Sequence, residues 1–210
     1  MLNTTVTIVT VCHNSMAVLP AMLKSIPAGT LVILVDNASS DTSALQILAN
    51  EHGAALQLNT DNIGFGPACN QGAAKAKTEF LLFLNPDAEL QPKALDALIE
   101  AAKNHKDASG FNPRILDSRG RQSFRHGSKL RPKERLKGPI PTKDAKISVL
   151  AGSAIFCRRA LFEQIGGFDP AIFMYHEDDD LSLRLCDHGP LMYCHTAQVM
   201  HLSGHGSPRA

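Results

Sequence analysis

The run Met174-Tyr-His-Glu-Asp-Asp-Asp-Leu-Ser-Leu-Arg184 places four acids, Glu177 to Asp180, side by side. Adjacent carboxylates repel one another, and they serve best where a cation or a proton-transfer task uses them. The other reading is an acidic first turn of a helix, where Asp and Glu offset the positive end of the helix dipole. A second acidic element, Leu82-Phe-Leu-Asn-Pro-Asp87, closes an apolar run. A carboxylate there can hold a hard divalent cation that in turn binds phosphate oxygens. His201 offers a second ligand, since neutral imidazole suits Mn²⁺ as well as Zn²⁺; a histidine in a polar tail is otherwise simply solvated. Together these groups suit transfer from a phosphate-activated donor. The cation stabilises a departing diphosphate while a carboxylate of the cluster deprotonates the incoming hydroxyl.

The rest of the chain must bring these residues together. Val6–Val11, Leu31–Val35, Leu56–Leu58 and Phe80–Leu84 read as strands, alternating with helices over 16–26, 42–51, 67–77 and 92–103. This alternation predicts βαβ units: an α/β fold with a mainly parallel central sheet and helices on both faces. Ligands of such sheets bind beyond the carboxyl ends of the strands. Asn14, Asp36, Asn62 and Asp87 follow the first four strands in turn, which sets them along one edge. Singly, each also reads as a turn-former or cap. Further on, 148–157 reads as a long strand or strand pair, 158–165 as a short helix, and 190–194 as a late strand, with His201 in the tail.

Several classes drop out. There is no Gly-x-x-x-x-Gly-Lys-[Ser/Thr] loop, no Gly-x-Gly-x-x-Gly after the first strand and no Gly-x-Ser-x-Gly elbow. This disfavours a nucleoside triphosphatase, a dinucleotide dehydrogenase and a triad hydrolase. A nucleotidyltransferase would carry a basic Gly-rich loop where Cys12-His-Asn-Ser15 stands. A non-catalytic sugar-nucleotide-binding or scaffold protein would have little need of the acids at 87, 177 and 178. The net charge is +1, so bulk charge predicts no nucleic-acid partner. The five cysteines lack close pairing and read as buried thiols in a reducing compartment. No basic leader precedes an apolar segment, and no apolar run reaches membrane-spanning length. A cytoplasmic protein, peripheral at the inner membrane face if membrane-associated, is the expectation.

The segments Thr10–Ser15, Val35–Asp41, Asn62–Gly72, Leu84–Asp87, Gly166–Asp169 and Phe173–Arg184, with His201 and Ser207 closing, resemble in order and spacing the inverting family-two glycosyltransferases of the GT-A fold. The likeness is greatest to the rhamnosyltransferase-like branch that builds surface polysaccharides. That resemblance implies a divalent cation, Mg²⁺ or Mn²⁺, held by Asp87 and His201. It implies a nucleoside-diphosphate sugar, dTDP- or UDP-linked, bound by Thr10, Asn14, Asp36, Asn62, Asn70, Asn85 and Asp87. Asp36 would hydrogen-bond the base, and Asn85 stands where the first acid of an Asp-x-Asp motif would be. Asp178 would be the catalytic base, and Glu177 would contact the acceptor or orient that base. Gly152, Ser153 and Tyr175 would lie on the acceptor side. His13 replaces the usual aromatic residue beside the donor base.

One stretch stands apart. Arg114 to Lys146 contains eleven Lys or Arg against three acids. It reads as a basic, mobile excursion (114–147) within a single domain spanning 1–210. Cationic side chains suit lipid-linked diphosphates and anionic headgroups, so a glycan or lipid-linked acceptor and a peripheral membrane contact are expected there, against a solvated loop as the alternative.

Overall fold

The computed structural model describes residues 3–134 and 137–202. Ser207 of the closing element and Arg135 of the basic stretch lie outside the described residues. The elements run β1 (Asn3–Cys12), α1 (Leu19–Ser25), β2 (Thr30–Asn37), α2 (Thr42–Glu51), β3 (Ala55–Asn59), α3 (Phe65–Lys75), β4 (Phe80–Leu84), β5 (Ala88–Leu90), α4 (Ala94–Asn104), β6 (Gly110–Leu116), β7 (Gln122–Ser123), β8 (Ala145–Ile147), β9 (Ala154–Arg158), α5 (Arg159–Gln164), α6 (Glu177–Cys186) and β10 (Leu191–His201).

Side chains alternate across a strand, and here both faces are apolar. Val6, Ile8 and Cys12 of β1, Val32 and Leu34 of β2 and Phe80, Leu82 and Leu84 of β4 pack with Leu19, Met22, Leu45, Leu48, Leu95 and Leu98 of α1, α2 and α4. The alternate residues Val9, Val11, Ile33, Val35, Leu81 and Phe83 pack with Ala68, Cys69, Phe162, Leu181 and Leu185 of α3, α5 and α6. A strand apolar on both faces must lie inside a three-layer stack, which is why these runs show no polar alternation. Each fully buried Leu or Phe contributes about 1.5–3 kcal/mol. The small residues of α3 have a packing reason: a Cβ on Gly72 would come within 2.4 Å of Val9 Cγ1.

The sheet order is β3-β2-β1-β4-β9-β6-β10-β5, with β7 on β6 and β8 on β10. β3, β2, β1 and β4 are mutually parallel, and β6 and β10 are parallel. β9 runs antiparallel to β4, pairing Ala154 with Leu84. The start of β9 therefore meets the carboxyl end of β4, and one edge of the sheet collects the ends of β1, β2, β3, β4 and β10.

One expectation is corrected: His201 is the last residue of β10, paired with Ala88 of β5, rather than part of a tail. The basic stretch is joined to the sheet at both ends, through β6, β7 and β8. Smaller shifts concern α1, which begins at Leu19 with Pro20 in its first turn, and the 148–157 run, of which only 154–157 is strand, β9 continuing to Arg158. Among the described residues, no helix is long and apolar enough to cross a membrane.

Candidate functional site

The four acids occupy the first turn of α6, so the helix-dipole reading holds for the cluster as a whole. The surroundings then separate them. Asp180 accepts both Arg184 Nε (2.9 Å) and Nη2 (2.6 Å), and Arg184 Nη1 reaches the carbonyls of Ile165 and Gly167. That pair fastens the Gly166-Gly167 turn to the helix and is structural. Asp179 is 1 % exposed. It accepts Arg125 Nη2 at 2.7 Å and the Lys129 amide at 3.0 Å. Burial alone would push its carboxyl up; hydrogen bonds from Ser128 and Arg125, the guanidinium charge and the Lys129 amide outweigh that and hold it low.

Asp178 accepts the Gly152 amide (2.9 Å) and Arg125 Nη1 (2.6 Å) on Oδ2, and the Asp179 amide (2.9 Å) on Oδ1. Gly152 lies so close that a Cβ there would stand 3.1 Å from Oδ2. Glu177 lies against Gly66 of α3, and its Oε2 is buried without a hydrogen-bond partner. Burial raises its pKa, helped by the charges of Asp178 and Asp179, against its own amide and His176. The folded chain therefore holds this proton to higher pH than the unfolded chain, whose Glu titrates at about 4.3. Stability from the protonated group is present below that value and is lost as pH rises above it. Glu177→Gln is thus expected to melt above wild type at neutral pH, with the gap closing towards pH 4; parallel melting curves across this range would refute the assignment.

Across the sheet edge, Asp87 lies between β4 and β5, 4 % exposed, with Oδ1 3.2 Å from His201 Nε2. The backbone fixes the pair: Ala88 is in register with His201, and the Leu202 amide donates to the Asp87 carbonyl. Among the described residues no third His, Cys, Asp or Glu joins them in a metal-holding group. A carboxylate oxygen and an imidazole nitrogen this close fit one hard or borderline divalent cation, with diphosphate oxygens completing its shell. One dipeptide joins the two halves of the site. The Ser153 carbonyl accepts the Asn85 amide (3.0 Å), and the adjoining Gly152 amide donates to Asp178.

The residues expected to bind the donor divide. Thr10 is fully buried at the end of β1 and its Oγ1 has no hydrogen-bond partner. Asp36 is fully buried and accepts the Ser39 amide and hydroxyl, so part of its capacity holds the loop after β2. Asn14, at φ 53°, accepts the Ser40 amide and hydroxyl on Oδ1, tying the β1 and β2 ends together. Asn62 accepts the Gly64 amide. Asn70 differs from the expectation: both ends of its amide are taken by the Phe168 backbone, at 2.8 and 2.9 Å, so it brackets α3 to the Gly166–Asp169 turn. Tyr175 is 70 % exposed and has a positive φ, as does His176. With Phe173 and Met174 it forms an exposed apolar rim before the acids.

Two residues were missed by sequence. Asn37 is a hub, donating to the Gly64 carbonyl and accepting Asn59, while its own carbonyl lies 2.7 Å from His13 Nδ1. Its only signal is a polar residue continuing an apolar strand. Arg125 bridges Asp178 and Asp179, and nothing local in the sequence marks it among the other cations. It comes from the basic stretch, whose segment 124–129 walls a cavity of about 350 Å³. The expected excursion is thus pinned onto the acids at Arg125 and Lys129. Of the five cysteines, Cys186 is exposed and the other four are buried.

Residues 7–166 match the family model described as glycosyl transferase family 2. The N-acetylglucosaminyl-diphospho-decaprenol L-rhamnosyltransferase of Mycobacterium tuberculosis is 28% identical over 211 residues, covering 85% of this chain and 68% of the relative. TarS 1–349 of S. aureus, solved with UDP-GlcNAc, superposes with a TM-score of 0.74 at 16% identity, over 98% of this chain and 62% of that one. The mannosyltransferase PcManGT of Pyrobaculum calidifontis, solved with GDP-Man and Mn²⁺, gives 0.69 at 15%, over 97% and 57%. This chain thus spans about three fifths of each of those two solved chains, and the likeness to them is one of fold: a GT-A sheet with its helices.

Proposed function

We infer from its membership of glycosyl transferase family 2, the family to which this chain belongs, that it transfers a sugar from a nucleoside-diphosphate donor to a hydroxyl of a lipid-linked or glycan acceptor, with inversion, in the building of a surface polysaccharide. The observation that supports this best is the Gly152-Ser153 bridge, which joins the Asn85–Asp87 turn to Asp178. A diphosphate held at Asp87 and a sugar hydroxyl presented at Asp178 would lie on opposite sides of one anomeric carbon. The hydroxyl oxygen forms the new bond to that carbon as its proton passes to Asp178. The bond from carbon to diphosphate oxygen breaks on the opposite face, so configuration inverts and the nucleoside diphosphate leaves. Bound at Asp87 and His201, Mg²⁺ or Mn²⁺ would neutralise the charge developing on the diphosphate.

The chain's own residues do the remaining work. Asp36 and Asn62, with Thr10 and Asn14, line the strand ends where the nucleoside would sit. Asn85 fixes the turn that carries Asp87. Ser153, Gly152 and the exposed Tyr175 face the acceptor, which would reach the base past the cavity walled by Phe124 to Lys129. The mycobacterial relative is named for an N-acetylglucosaminyl-diphospho-decaprenol substrate, and the basic stretch would suit such an anion at a membrane face. UDP or dTDP is the favoured leaving nucleotide.

Thermal melts with UDP, dTDP, GDP and ADP, with and without Mn²⁺, test the reading. One nucleotide is expected to stabilise the fold in a Mn²⁺-dependent manner, by about 2.7 kcal/mol at a hundredfold excess over Kd. No shift with any of the four would favour a non-catalytic protein on the same fold.

A further inference from the structure

We propose that Arg125 is the positioning residue of the base: it holds one oxygen of Asp178 fully occupied and leaves a single site, on the other oxygen, to receive the acceptor proton. This rests on the transferase reading above.

The argument is an account of lone pairs. Each carboxylate oxygen accepts about two hydrogen bonds. Oδ2 of Asp178 takes Arg125 Nη1 and the Gly152 amide, which fills it. Among the described residues, Oδ1 takes only the Asp179 amide. One acceptor position on Oδ1 is therefore open, and the carboxylate cannot turn to exchange its oxygens without breaking all three bonds. The charged and titratable neighbours are Arg125, and Glu177, Asp179 and His176 on its own segment.

Arg125 is itself fixed. Nη2 is held by Asp179 at 2.7 Å and Nη1 also donates to the Leu150 carbonyl at 3.2 Å. The Leu150 amide donates to Ser182 Oγ, which donates to the Asp178 carbonyl at 2.6 Å. A ring of contacts thus runs from Arg125 through Leu150 and Ser182 back to Asp178. Asp179 completes it, with Lys129 fastening the same loop. A planar, forked guanidinium can grip two carboxylates at once, whereas a lysine ammonium is a single point charge. Guanidinium–carboxylate bonds are also among the strong ones. With Asp178 and Arg125 only 16 % and 25 % exposed, water competes little for the pair.

The test uses the donor whose nucleotide stabilises the chain most, with release of nucleoside diphosphate to water as acceptor. Arg125→Gln is expected to lower kcat about 100-fold, the scale of an ångström's misplacement, with donor KM and nucleotide stabilisation unchanged. Asp179→Asn should lower kcat less, and the double variant should fall short of the product of the two, because both act through one network. Guanidinium in the buffer should restore part of the rate to Arg125→Ala, which a merely structural arginine would not show. If Arg125→Gln does not fold, Arg125→Lys decides: about a tenfold loss in kcat at unchanged KM is expected, and a wild-type kcat overturns the proposal. Turnover by wild type that is lost in Asp178→Asn but kept in Arg125→Gln overturns this inference alone. A wild-type chain without turnover overturns it together with the proposed reaction.

Discussion

Asp178→Asn is expected to lower kcat by about 10²–10⁴-fold, the usual worth of a positioned general base, while donor KM and nucleotide-dependent thermal stabilisation stay at wild-type values. The substitution is nearly isosteric. With its amide oxygen in the place of Oδ2, it still accepts both the Gly152 amide and the Arg125 guanidinium, so the Gly152-Ser153 bridge to Asn85 survives. What is lost is the capacity to take a proton. In the proposed reaction the bond that breaks lies on the donor side, towards Asp87, so the donor should still bind. Single-turnover rates beside nucleotide melts separate the two effects. Equal losses in kcat and in nucleotide stabilisation would move Asp178 from proton transfer to donor binding. Near-wild-type transfer would remove it from the mechanism. Either amide orientation places one NH₂ near a present donor, either Arg125 with the Gly152 amide or the Asp179 amide. A modest drop in melting temperature is therefore expected and does not bear on the assignment.

The parallel half of this fold was legible because its strands announce themselves. Phe80–Leu84 is apolar at every position and was read to the residue, as was α2, where Asp41 caps Ser43 and Ala44. The long last strand was not. Its register breaks between Cys194 and Gln198, and the residues spanning that irregularity include His195, Thr196 and Gln198. An apolar run interrupted by polar residues looks finished, so from sequence the strand reads as stopping at Cys194 and His201 as lying in a tail; pairing with β5 and β6 carries it on to His201. The candidate site was legible where a polar residue ends a strand, as at Asp87, and illegible where a contact is purely tertiary. Arg125 meets Asp178 across 53 residues, and no local pattern distinguishes it from Arg119, Arg121 or Arg131. Asn70 shows the converse. Its place in a Gly-rich loop motif suggested a ligand contact, yet its amide serves a turn nearly a hundred residues away.

The largest effect on binding is expected from Asp87. Asp87→Ala should abolish the Mn²⁺-dependent part of nucleotide stabilisation: about 2.7 kcal/mol at a hundredfold excess over Kd, or roughly 5–10 °C in melting temperature for a domain of this size. Two features make the site sensitive. Asp87 is almost fully buried, so no neighbouring surface acid can replace it. And the described residues offer only His201 beside it, so removing one of the two proposed ligands would leave a single imidazole, which holds a divalent cation weakly. His201→Ala should weaken metal dependence in the same sense and by less, because a carboxylate carries charge to the cation and an imidazole does not. Without metal, both variants should bind nucleotide as wild type does, since Asp36, Asn62 and Thr10 are untouched. The register of β5 with β10 is made by backbone, so both variants should fold. A nucleotide shift in Asp87→Ala that still rises with Mn²⁺ would place the cation elsewhere. A metal-independent shift in wild type would leave Asp87 and His201 as a hydrogen-bonded pair that closes the sheet edge.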